Sequence, residues 1–244
     1  MDIAAHIERL EVDGALLAGA AERAGWGEPV AACRWDVRQL VTHLGGVHRW
    51  ATALVRTAAR DSLEEVAATV GTGPGDDELL DWFRAGHADL VATLRAAPAD
   101  LTCYTFLPAP SPLAFWARRQ AHETAIHRAD AESAARGITQ FPVAFAQDGI
   151  GEMLHGFARR RNNAIDAPGT VALRPDDGGA AWLVTMGGER LEAAEVAADV
   201  DADCTVSGSS SDLYLWLWNR PADVTISGDA SIAERWRQIR VRWS

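Results

Sequence analysis

Apolar residues recur at helical spacing through roughly the first two thirds of the chain and at strand-like spacing after that. From Asp2 to Ala24, the residues Ile3, Ile7, Leu10, Gly14, Leu17 and Ala21 share one face, which predicts an amphipathic helix ended by Gly25 and Gly27. A loop containing Pro29 and Cys33 leads to Asp36, a good N-cap for a second helix. There Val37, Leu40, Val41, Leu44, Val47, Ala51, Leu54 and Val55 form a broad apolar face. A connector over 71–77 precedes a third helix carrying Leu80, Phe83, His87, Leu90, Val91 and Leu94 on one side. After the proline-rich linker 101–112, Ser111 as N-cap, Pro112 at the first helical position and Gly137 past the end delimit a fourth helix. Residues 141–166, anchored by Val143, Ile150, Leu154, Phe157 and Ile165, complete a mostly antiparallel bundle of four or five helices.

The pattern changes at Pro168-Gly169. TVALR and AAWLVTM read as strands joined by the turn PDDGG, and GGERLEA continues an antiparallel hairpin series. DCTVSG and DVTISG are further strands, SSSDLYLWLWNRP a helix opened by serines, and ASIAERWRQIRVRW a closing helix. The run Leu213, Leu215, Trp216, Leu217, Trp218 is too continuous for an exposed helix and predicts burial against a sheet or at an interface. The fold class is therefore α+β, with a helical bundle over 1–167 and a small α+β domain over 168–244.

Composition narrows the partners. A net charge of -11 argues against nucleic acid and against adsorption to an anionic membrane. All 23 residues of the Lys+Arg total are arginine, which removes Schiff-base chemistry through lysine. Cys33, Cys103 and Cys204 form neither a CxxC motif nor an even disulfide framework, as in a reducing cytoplasm. No apolar run reaches the roughly 20 residues needed to span a bilayer. A soluble cytoplasmic monomer or weak homodimer is expected.

The fourth helix conflicts with its own position. Trp116, Gln120, Glu123, His127, Asp130 and Ala134 fall near one stripe, so groups expensive to bury lie where a core seam should be. Glu123 and His127, four residues apart, can both reach one divalent ion, with a third ligand from elsewhere. His43 lies inward among the apolar residues of the second helix. Taken alone it reads as a core histidine; taken with Glu123 and His127 it reads as the third ligand, because three separately buried polar groups would each cost about 1–3 kcal/mol if unpaired. His48 falls five residues on and is expected at the surface or flanking the site, while His87 reads as structural. In the linker, Tyr104 and Phe106 are candidate substrate contacts and Cys103 could approach a metal, although such a loop also needs aromatic anchors. The arginines at 159, 160 and 161 read as solvated charge.

Three features resemble the mycothiol-dependent maleylpyruvate isomerase family, whose N-terminal bundle is DinB-like. They are WDVRQLVTHLGGVHRW around His43, the RxxxExxxHxxD pattern of Arg119, Glu123, His127 and Asp130, and the terminal SGSSSDLYLWLWNRP followed by VTISGD. By this resemblance His43, Glu123 and His127 match zinc ligands, the tail is sterol carrier protein-like, and the cosubstrate is mycothiol, a cysteine-containing sugar thiol. The implied activity is cis–trans isomerisation of a maleylpyruvate-like acid, or transfer of the thiol to an electrophile. The residues agree: two imidazoles and a carboxylate leave a coordination position open to a thiol. Arg220 is the candidate for binding a substrate or thiol carboxylate and Tyr104 for contacting the thiol, although Arg220 would equally suit capping of the preceding helix. Arg119 or Asp130 is expected to orient the ligands. Two other classes remain open: a hydrolase activating water at the same metal, and a non-catalytic binding or sequestration module.

Overall fold

The computed structural model describes residues 1–61, 63–68, 70–239 and 241, and its contacts divide into two compact units, Met1–Thr139 and Gln140–Ser244. The first unit contains α1 (Ile3–Ala24), α2 (Val37–Thr57), the short α3 (Leu63–Ala68), α4 (Asp76–Ala96) and α5 (Pro112–Ala134). Side chains set the helix starts. Asp36 accepts from the Gln39 amide at 2.7 Å while Gln39 Oε1 accepts from the Asp36 amide at 3.1 Å, a reciprocal capping box. Ser111 Oγ accepts from the Ala114 amide at 3.1 Å, followed by Pro112 where a missing N–H does no harm. At the other end of α5 Arg136, not Gly137, takes the left-handed conformation (φ 66°), and the Gly137 amide donates to the Glu132 carbonyl at 3.0 Å.

Side-chain pairs give the helix directions. His6 meets His122 and Asp13 meets Arg128, so α1 runs parallel to α5. Arg38 pairs with Asp76 and Arg56 with Asp89, so α2 runs parallel to α4. Glu22 with Arg84, Glu11 with Arg95, His48 with Thr124 and Trp50 with Trp116 make α1–α4 and α2–α5 antiparallel. The bundle is thus up, down, down, up. The antiparallel expectation holds for two of these pairings, and the parallel ones arise because the connection between α2 and α4, which includes α3, is long enough to bring the chain back. The exposed ion pairs contribute about 0–1 kcal/mol each; burial of Leu17, Val37, Leu40, Leu44, Leu79 and Phe83 in one core does most of the stabilising.

The central helix is α5, with 19 of its 23 residues buried. Alanines at 117, 121, 125, 129 and 131 let neighbours approach, and so the polar residues between them are enclosed as well. Arg128 is fully buried and ion-paired with Asp13 at 3.1 Å and Glu132 at 3.2 Å. Arg9 joins Asp13 through Nε at 2.7 Å. This network links α1 to α5.

The second unit begins with α6 (Val143–Glu152), continued by a π-helical turn (Met153–Phe157) and a 3-10 turn (Arg161–Asn163) in place of the single helix expected over 141–166. A five-stranded sheet follows, ordered β3-β2-β1-β4-β5, from β1 (Gly169–Pro175), β2 (Ala181–Met186), β3 (Glu192–Val196), β4 (Cys204–Gly208) and β5 (Thr225–Gly228). The hairpin series holds for β1, β2 and β3, with β3 starting later than expected, whereas β4 returns to lie parallel to β1, pairing Val171 with Cys204 and Leu173 with Val206. The remaining helices are α7 (Ser210–Leu217), buried through Leu213, Leu215 and Leu217, and α8 (Ala230–Arg235), followed by a 3-10 turn at Trp236–Gln238. Of the closing helix expected over 230–243, residues 240, 242 and 243 lie outside the described residues.

The boundary expected at 167/168 follows the change from helical to strand-like pattern, but the contacts divide the chain at Thr139/Gln140. Phe141 and Phe145 pack on the fully buried Tyr214 of α7, with ring centroids 5.3 and 6.3 Å away, and this groups 140–157 with the sheet. Gly149 makes that packing possible, since a Cβ there would lie 2.4 Å from Tyr214 Cε2. Alanine favours helix over glycine by about 1 kcal/mol, yet overpacking a buried ring costs about 1–3 kcal/mol. Gly149→Ala is therefore expected to lower stability in urea titration, and a rise in stability would show that α6 and α7 are loosely packed.

Candidate metal centre

Three elements build the site. His43 projects from α2, Glu123 and His127 from successive turns of α5, and Trp35 covers them from the loop before α2. The Pro29–Asp36 bridge and the Val30 amide's 2.9 Å bond to the Trp35 carbonyl fix that loop. The Trp35 ring centroid lies 4.7 Å from that of His43 and 6.1 Å from that of His127. His43 keeps a third of its side chain exposed, at 33%, against 5% for Glu123 and 11% for His127. The cluster is thus enclosed on the α5 side and accessible beside His43.

The ligating atoms converge. Glu123 Oε1 lies 3.3 Å from His127 Nε2 and 3.6 Å from His43 Nε2, and the three atoms all lie within 4.8 Å of one another. Tetrahedral ligands held at about 2.0–2.1 Å from zinc would stand about 3.3–3.4 Å apart, so these residues fit such an ion with little rearrangement. The outer atoms are held too. Arg119 Nη2 donates to Glu123 Oε2 at 3.1 Å, leaving Oε1 for the ligand position, and His127 Nδ1 hydrogen-bonds Asp130 Oδ2 at 2.9 Å, turning Nε2 inward. Burial would raise the Glu123 carboxyl pKa, but hydrogen bonds from His127 and His43 and the Arg119 charge hold it well below the ordinary carboxylate range. Burial would lower His127, but Asp130 and Glu123 overcome it and bring its pKa to about 9.

The other sequence candidates lie as follows. Half-buried Tyr104 is anchored through its backbone: its amide donates to the Ala59 carbonyl at 2.7 Å, and its carbonyl accepts from Trp116 Nε1 at 2.9 Å. Trp116 stands on α5 two turns before Glu123, which puts Tyr104 at that end of the ligand stripe. Phe106 packs edge-on against Phe115 at 4.8 Å. Cys103 is outside the three-residue cluster, and burial pushes its thiol pKa up despite a hydrogen bond with Trp116, which disfavours the thiolate. Cys33 packs against the bundle core. Arg220 belongs to the second unit, where its Nη1 donates to the Trp218 carbonyl at 2.8 Å, as a helix-capping arginine does.

Of the two places expected for His48, the surface is the wrong one: the residue flanks the site from inside the bundle. It is fully buried, its Nε2 sits 2.8 Å from Thr124 Oγ1, and burial followed by the neighbouring His87 charge pushes its pKa well below 6.5. The signal was present, because His48 lies four residues after Leu44 and three before Ala51, on the apolar stripe. The bond joins α2 to α5 beside Glu123 and so fixes where His43 meets its partners. The His87 ring fills the notch left by Gly14, and its Nε2 lies 3.3 Å from the Glu11 carbonyl oxygen. The role of Trp35 had no signal in spacing.

A helical bundle with two imidazoles and a carboxylate converging inside it defines a candidate metal-binding protein, joined here to an α+β unit. The model of the mycothiol maleylpyruvate isomerase N-terminal domain matches residues 7–132, and that of the family's C-terminal domain matches residues 144–235. The chain belongs to the mycothiol-dependent maleylpyruvate isomerase family, with its DinB-like bundle. Two crystal structures are similar, one of a mycothiol-dependent maleylpyruvate isomerase (TM-score 0.65, 15% identity) and one of a histidine-to-alanine mutant of such an enzyme (TM-score 0.64, 16% identity). Each likeness covers 93% of this chain and 93% of the other. At these identities it shows the shared fold. No curated protein sequence matches the chain. Among the described residues no helix is long and apolar enough to cross a membrane.

In ion-free protein the raised His127 pKa couples folding to pH. A folded value near 9 above an ordinary 6.5 means the protonated ring stabilises the fold fully below about pH 6.5. That stabilisation is lost as pH rises through 9. Chelator-treated protein is expected to lose unfolding free energy across this window, with a smaller loss in Asp130→Asn; a flat profile in urea titrations would contradict the His127–Asp130 pairing.

Proposed function

We propose that the protein is a zinc-dependent enzyme that uses a small thiol of the mycothiol type as its nucleophile. It would either isomerise a cis-enedione acid resembling maleylpyruvate or transfer the thiol to an electrophile. The convergence of His43, Glu123 and His127 in a member of this family carries the reading. A bound divalent ion would supply an open position at which a thiol loses its proton near neutral pH.

The chain's own residues divide the remaining work. Asp130 holds the His127 tautomer and Arg119 holds the Glu123 rotamer, so the site is preorganised at both outer atoms. Trp35 shields the imidazoles on one side, while exposure beside His43 leaves a path for reactants. No protein nucleophile is needed, and the raised thiol pKa values of Cys103 and Cys204 argue against either cysteine serving as one. In the isomerisation, the thiolate adds to the conjugated double bond, its electron pair moving to the adjacent carbonyl as an enolate. Rotation about the new single bond follows, and collapse of the enolate expels the thiolate with the trans product. With an electrophile that does not reverse, the same attack ends in a conjugate. Arg220 remains our candidate for a carboxylate and Tyr104 for a thiol contact, because arginine binds carboxylates in bidentate fashion and Tyr104 stands at the end of the ligand stripe. The absence of a disulfide among Cys33, Cys103 and Cys204 is compatible with a reducing cytoplasm, and a monomer or weak homodimer is proposed.

The test mixes zinc-loaded protein with a cis-enedione acid or a reactive electrophile, each with mycothiol, another small thiol or none, and follows products by mass. Turnover is expected only with thiol, and Glu123→Gln should reduce it by at least about a hundredfold. Thiol-independent hydrolysis would replace this reading with the water-activating one. Zinc binding without turnover of any compound would favour a binding or sequestration module.

A further inference from the structure

Gln120 is fully buried, yet neither Oε1 nor Nε2 has a hydrogen-bond partner among the described residues. Its neighbours on α5 differ. Arg119 pairs with Glu123, Thr124 with His48, His127 with Asp130, Arg128 with Asp13, and Glu132 with Thr139. Burying an amide with both of its groups unmet is unfavourable, and leucine or methionine would fill the same space without that penalty. Gln120 also lies three residues before Glu123 and seven before His127, on the same face of α5.

From this we propose that Gln120 binds the thiol cosubstrate through an amide close to its sulfur, an inference that rests on the thiol reading above. A primary amide presents a donor and an acceptor side by side. Its complement is a group offering both, such as another amide, whereas a carboxylate satisfies Nε2 and repels Oε1. In cysteine-derived thiols an amide follows the sulfur after two carbons. Positions three apart on a helix have Cβ atoms about 5–6 Å apart, which suits a ligand whose sulfur reaches the Glu123 level while its amide meets Gln120. Gln120 thereby selects amide-bearing thiols over plain alkyl thiols.

The experiment compares zinc-loaded wild type, Gln120→Leu and Gln120→Met by calorimetric titration with N-acetylcysteine methylamide and with ethanethiol, and measures the melting temperature of each protein without thiol. Both variants are expected to bind the amide-bearing thiol about tenfold more weakly, to bind ethanethiol unchanged, and to melt no lower than wild type. A drop in melting temperature of several degrees, failure of both variants to fold, or equal effects on the two thiols would overturn the assignment and leave Gln120 structural. Binding of both thiols that is indifferent to residue 120 would overturn it while leaving the thiol reading standing. Failure of wild type to bind either thiol would overturn the thiol reading and this inference together.

Discussion

A carboxylate buried in the middle of the bundle is the constraint on which the site depends. Glu123 is 4% exposed on the most enclosed helix of the chain, where an unpaired charge would be strongly unfavourable. Its two oxygens divide the compensation: Oε2 takes the Arg119 guanidinium and Oε1 faces the two imidazoles. That division gives the carboxylate a fixed orientation. A partner on each oxygen leaves no freedom for the side chain to turn toward water, and the imidazoles meet at the oxygen that remains.

The bundle is arranged to meet this constraint. α5 supplies Glu123 and His127 by helical spacing alone, but His43 must arrive from α2 at the right height. The His48–Thr124 bond sets that height from inside, and Trp35 sets it from outside. The cross-bundle network joins Arg128 and Glu132 of the same helix to Asp13 of α1 and is buried as well, but its role differs. There each charge has a protein partner and the geometry closes on itself, which holds α1 against α5. At His43, Glu123 and His127 the ligand atoms face one another across a space of ion-binding size, so two polar clusters on one helix divide into scaffold and site.

Much of this was legible in the sequence because it rests on local rules. Asp36 and Ser111 as caps, the stripe containing Glu123 and His127, and an inward His43 all follow from spacing and terminus chemistry. Arg119 and Asp130 were legible for the same reason, since positions four before Glu123 and three after His127 share its face. What was not legible depends on tertiary partners. His48 points away from His43 on the helical wheel, and burial between α4 and α5 decides its state. The parallel pairing of β4 with β1 and the grouping of Phe141 and Phe145 with Tyr214 are long-range choices that no local period encodes. Trp35 sits in a loop, where a side chain's direction is fixed by the turn.

The central claim is that His43, Glu123 and His127 hold one ion with a position open to a small thiol. Absorption spectroscopy of the cobalt-substituted protein tests it most directly, because a sulfur ligand adds a near-ultraviolet charge-transfer band that imidazole and carboxylate do not give. One equivalent of cobalt is predicted to bind wild-type protein, to show that band only after thiol is added, and to be lost from His127→Ala. A spectrum unchanged by thiol, or cobalt retained in full by His127→Ala, would contradict the account.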